Sequence, residues 1–172
     1  MIKIIGSVLV IAGCTSIGFY IVERMRRRLA ELQLIKRQLL FMRGEMRTGY
    51  QPLAEIFSRL EERTLGEWKS FYGFLREKLN TNRTEMLAEL WDEAINSRLK
   101  RSLLDEEEMR TWNELGENLG YLDREMQIAL LTVCEAHMDE YIEKEKNQIR
   151  QQAKVYQTLG IMSGIFLTMI LV

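Results

Sequence analysis

Apolar side chains dominate positions 1–22 and 155–172, and between these blocks they recur every three or four residues. Leu29, Leu32, Ile35, Leu39, Met42 and Met46 form one stripe on a helix that should run to about Thr48. No breaker separates that stripe from the N-terminal block, so a single helix is expected through both. Gly49 permits a turn, and Pro52 suits the first turn of a second helix over 52–63, with Leu53, Ile56, Phe57 and Leu60 on its inner face. A third helix is expected over 65–79, carrying Trp68, Phe71, Tyr72, Leu75 and Leu79, and Asn80-Thr81-Asn82-Arg83 ends it. A fourth, over 84–101, repeats Met86/Leu87, Leu90/Trp91, Ile95 and Leu99.

The fifth start is marked most clearly. Asp105 with Glu108 three residues later has the spacing of a capping box, and Leu104 with Met109 that of a hydrophobic staple. This helix should end near Gly116 and Gly120. Asp123 is a good N-cap for the last helix, which places Met126, Leu130, Val133, His137 and Tyr141 on one face. It turns polar over 144–154 and meets no breaker before Gly160. The chain has one proline and no alternation of apolar and polar residues that would support a strand. The expected fold is all-α: a bundle of about six helices whose first and last members continue into transmembrane helices.

Charge sharpens the terminal blocks. Lys3 is the single charged side chain in 1–22, and 155–172 has none, whereas all 25 acidic residues lie between Glu23 and Glu145. The first block is long enough to cross roughly 30 Å of hydrocarbon as a helix, and the second, at 18 residues, is close to the lower length limit for a span. Arg24, Arg26, Arg27 and Arg28 follow the first block, and Lys144, Lys146, Arg150 and Lys154 precede the second. Basic residues beside a span are retained on the cytoplasmic side. Both flanks therefore imply a multi-pass cell-membrane protein with spans at 1–22 and 155–172 and a cytoplasmic body over 23–154. Ile11-Ala12-Gly13-Cys14 has the look of a lipoprotein lipobox, but the residues after Cys14 stay apolar and the arginines then resist export. Gly160 and Gly164 make a GxxxG pattern that would let another helix pack closely, from the other span or from a neighbouring copy in a homo-oligomer.

Catalytic chemistry finds no foothold. The chain lacks a Walker A loop, a zinc motif, a nucleophile elbow and a GxGxxG turn, so neither enzyme activity nor a cofactor is expected. The one histidine, His137, falls on the apolar stripe of the last helix and reads as a packed core residue. Cys14 and Cys134 have no CxxC partner and read as small apolar fillers. The body carries a net charge near zero, which excludes a nucleic-acid binder. One electrostatic feature stands out: 105–125 holds eight acidic and two basic residues. Glu106, Glu107 and Glu117 are the candidate partner-binding side chains there, available to a basic partner. Asp123 to Lys154 would rise on the order of 45 Å as a helix, so this region is expected far from the lipid.

Several segments together resemble the stage III sporulation protein AB family over nearly the whole length. They are Gly6 and Gly18 with the arginine block after them, Gly49-Tyr50-Gln51-Pro52-Leu53-Ala54-Glu55, Leu119-Gly120-Tyr121-Leu122-Asp123 with Gln127, and Leu159-Gly160 with Gly164. The resemblance implies a subunit of the channel-like assembly that the mother cell builds in the membrane around the forespore. It also implies a body similar to the helical cytoplasmic domains of type II secretion platform proteins. The implied partners are a secretion-type ATPase, stage III sporulation protein AA, and other channel subunits. A general membrane-anchored tether or receptor is the alternative reading of the same helical body.

Overall fold

The computed structural model describes the backbone of residues 2–49, 51–81 and 86–171; the side chains of residues 2–11, of Cys14 and of much of 153–171 lie outside that description. The described residues form six α-helices and no strand: α1 Ile2–Thr48, α2 Leu53–Arg63, α3 Gly66–Thr81, α4 Leu87–Arg98, α5 Glu106–Leu119 and α6 Arg124–Leu171. The chain divides into two units, one of residues 31–141 and one of 1–30 with 142–172.

In the larger unit the α1 stripe is the floor of the core. Leu32, Ile35, Leu39 and Met42 are fully buried and Met46 nearly so, as their spacing predicts. α2 contributes Ile56, Phe57 and Leu60, and α3 contributes Trp68, Phe71, Tyr72 and Leu75. Thr64 ends α2 in an extended conformation, and Gly66 then adopts φ 62°, a left-handed geometry that glycine reaches without strain and that turns the chain into α3. Six aromatic rings meet at the centre: Phe71 lies edge-on to Trp91 at 5.1 Å, Trp68 edge-on to Trp112 at 5.4 Å, and Tyr72 against Phe57 at 6.0 Å. Each such ring, fully buried, contributes about 1.5–3 kcal/mol from lost apolar surface.

Polar groups tie the helices at fixed points. The Glu31 carboxylate on α1 accepts from Trp68 Nε1 at 3.1 Å, from Ser102 Oγ at 2.8 Å and from the Leu103 backbone N–H at 2.8 Å, joining α3 and the α4–α5 loop to α1. The Tyr72 hydroxyl donates to Gln38 Oε1 at 2.9 Å inside the core. On α5 the expected capping box is complete: Glu108 N–H donates to Asp105 Oδ1 at 2.9 Å and Asp105 N–H to Glu108 Oε2 at 2.8 Å. Gly116 does not end that helix. It lies inside it, against Trp91, where a Cβ would fall 2.0 Å from the ring, and the helix continues to Leu119.

α1 and α6 run antiparallel through this unit. Lys36 pairs with Asp139, Arg43 with Glu135 at 3.0 Å, and Arg124 Nε donates to the Met46 carbonyl at 2.6 Å. The buried face of α6 is one residue away from the expected stripe: Leu131, Cys134, Glu135 and Met138 point inward, whereas Met126, Val133 and His137 are exposed. His137 is thus a surface residue, not a packed core histidine. The shift has a physical cause. Leu131 and Met138 are fully buried on this face, and Glu135 can face inward between them because Arg43 meets it there.

In the smaller unit Gly18 and Val22 of α1 and Ile142 and Glu145 of α6 are buried, and Arg28 pairs with Glu145 at 3.6 Å. Both long helices continue without a break through the terminal blocks, as the missing breakers predict. Among the described residues no helix is long and apolar enough to cross a membrane. The two-span reading of 1–22 and 155–172 rests largely on side chains outside the described ones, and so does the lipobox at Cys14.

Candidate functional site

The three glutamates singled out from the sequence all lie on the solvent side of α5. Glu106 and Glu107 are exposed in its first turn, beside Glu108, which is withdrawn into the capping box. Eleven residues separate Glu106 from Glu117, three helical turns, so the two share a face. Glu117 is exposed and its Oε1 accepts from Asn113 Nδ2 at 2.9 Å. Arg110 shares that face and pairs with Glu114 at 3.7 Å. The opposite face of α5, with Thr111, Trp112, Leu115 and Leu119, is buried, so the helix holds its acids outward rigidly. Gly160 and Gly164 both lie within α6, but their surroundings are outside the described side chains.

A second feature emerges only from the folded chain. A cavity of about 290 Å³ is lined by Met46, Gly49, Gln51, Pro52, Leu53, Arg124 and Gln127. Met46, Gly49, Gln51, Pro52 and Leu53 thus close around one space with Arg124 and Gln127, some seventy positions further along the sequence. Arg124 holds the two together: its Nε donates to the Met46 carbonyl and its Nη2 to the Arg47 carbonyl at 2.9 Å, satisfying two of the orphan acceptors that end α1. Gln127 Nε2 donates to the Leu119 carbonyl at 2.7 Å and so caps α5 in the same way. Asp123 Oδ1 accepts from Met126 N–H at 2.9 Å, the expected N-cap of α6. Turned with its nitrogen toward Glu45 Oε2 and its oxygen toward Arg59 Nη2, the Gln51 amide bridges that pair at 3.0 and 2.9 Å.

The chemistry here is that of holding. The cavity offers apolar walls from Met46, Pro52 and Leu53 with two amides and a guanidinium at its rim, and its lining has no nucleophile and no histidine. Nothing in the sequence pattern singles out Arg124. Its one visible signal was its place directly after an N-cap aspartate, which says nothing of the carbonyls it meets.

The family model of stage III sporulation protein AB matches residues 3–172. No curated protein and no solved structure matches the chain.

Proposed function

Since the chain belongs to the stage III sporulation protein AB family, we propose that it is a non-catalytic membrane platform subunit of a sporulation channel. In this reading it couples a cytoplasmic secretion-type ATPase to the membrane assembly between mother cell and forespore. The match over 3–172 carries the proposal, because it takes in the helical body and both apolar ends together.

The apolar ends of α1 and α6 are the membrane anchors in this reading, at 1–22 and 155–172, with the body in the cytoplasm. What supports this is their near-complete lack of charge and the basic residues on their inner flanks. The acidic face of α5 is the contact for the ATPase, since Glu106, Glu107 and Glu117 are exposed on a helix whose other side is fixed in the core. Exposed charge of this kind acts mainly on association rate and salt sensitivity.

Two measurements test the proposal. The full chain with Glu106, Glu107 and Glu117 changed to glutamine should keep its helicity and bind purified ATPase more weakly, most visibly at low salt. Unchanged binding would remove this surface from the reading. For topology, a cysteine at the exposed Lys100 in place of the lysine should resist an impermeant thiol reagent added to intact cells. Labelling there would overturn the cytoplasmic body.

A further inference from the structure

We propose that copies of this chain associate head to tail, the outer face of α1 on one copy packing against the outer face of α6 on the next.

The α6 face is an apolar strip that no described residue covers. Met126 and Val133 are 55% and 53% exposed, and Ala129 and Ala136 are exposed beside them. Steps of three and four residues put these side chains on one line. Exposed Glu125 and Glu140 stand at its two ends.

The α1 face is its complement. Arg37, Leu40, Gly44 and Arg47 are exposed at the same helical spacing, with Leu40 40% exposed at the centre. A Cβ on Gly44 would meet nothing within 4 Å. Inside the monomer, alanine there would favour the helix, and no contact among the described residues explains the glycine. A second helix lying across α1 does explain it, and the strip it would receive is built of small side chains at Ala129 and Ala136.

Charge selects this pairing over the symmetric ones. Arg37 and Arg47 lie about 15 Å apart along α1, and Glu125 and Glu140 about 22 Å apart along α6, at 1.5 Å per residue. The reach of arginine side chains absorbs the difference. Packing α1 on α1 would set arginines against arginines, and α6 on α6 glutamates against glutamates. Two different faces in contact make a heterologous interface, which repeats into a ring or a filament.

The test uses the full chain in mild detergent without any other protein, so it stands apart from the ATPase reading. Cys14 is changed to serine. Cys134 stays, because its buried thiol, pushed up to about 11 chiefly by burial, is protonated and slow to react. Under mild oxidation a mixture of Leu40→Cys and Val133→Cys chains should give a disulfide dimer, and the doubly substituted chain a ladder of trimers and larger species. Either single variant alone should give at least tenfold less dimer. Arg37→Glu with Arg47→Glu should suppress the ladder, and adding Glu125→Arg with Glu140→Arg should restore it. Dimers from either single variant in equal yield, or no ladder from the double variant, would overturn the proposal.

Discussion

Gly116 of α5 lies so close to Trp91 of α4 that a methyl group at its Cα would sit 2.0 Å from the indole ring. Glycine in a helix normally costs about 1 kcal/mol relative to alanine, and here that cost is accepted because the ring fills the space. Gly116→Ala should therefore destabilise the chain despite the better helix former, by roughly 1–3 kcal/mol from overpacking. Gly44→Ala, made where no atom is within reach, should raise the melting temperature slightly. Thermal unfolding of the two variants side by side checks the contrast, and equal responses would contradict the packing.

Glu31 serves three donors from two other elements with one carboxylate. Glu31→Ala leaves Trp68 Nε1, Ser102 Oγ and the Leu103 N–H without it, and a fully buried unsatisfied donor costs on the order of 1–3 kcal/mol, less for the half-buried Ser102 and Leu103. The expected result is a strong loss of stability with a shift in Trp68 fluorescence. Ser102→Ala, which removes one donor and leaves the carboxylate two others, should cost far less in the same denaturation assay.

Burial in the α1–α6 seam raises the Glu135 carboxyl above its usual range; Arg43 and Lys36 pull it down and Asp139 pushes it up. A carboxyl whose folded value exceeds its unfolded one holds its proton more tightly when folded. Its contribution is complete below the unfolded value and is lost as pH rises through the folded one. Glu135→Gln keeps the uncharged form at every pH. The variant should therefore gain stability relative to the parent chain between about pH 4 and pH 7. Chemical denaturation at both pH values measures the difference, and a gain in the opposite direction would show the Arg43 pair dominating.

Adjacent glutamates in α5 should respond differently to the same change. Glu108→Gln keeps an acceptor for the Asp105 N–H but removes the charge from that bond, and a hydrogen bond to a charged group contributes about 1.5–3 kcal/mol against about 0.5–1.5 kcal/mol for a neutral one. Glu106→Gln touches only the exposed first turn, where a favourable helix-dipole contact amounts to about 0.3–1 kcal/mol. Paired urea titrations should therefore show the larger loss at 108.

The sequence made α1 and the capping box legible because both are local. Leu32, Ile35, Leu39 and Met42 repeat at one period, and Asp105 and Glu108 are three residues apart. α6 was harder for a physical reason. Two apolar faces compete along it, and the true one is interrupted by the buried Glu135, a residue that belongs inside only because Arg43 meets it. Gly116 reads as a terminator because a close approach between helices leaves no mark in sequence. The cavity was hidden for the same reason: nothing near Gln51 announces that Arg124 and Gln127 will face it.

The antiparallel seam of α1 and α6 also has a mechanical reading. Its links, Arg124 to Met46, Arg43 to Glu135 and Lys36 to Asp139, are strung along the helix axes at successive levels. A pull that tries to slide one helix past the other strains all of them at once, whereas a sideways peel would break them in turn. The larger unit is therefore expected to resist a pull along its two long helices better than one across them.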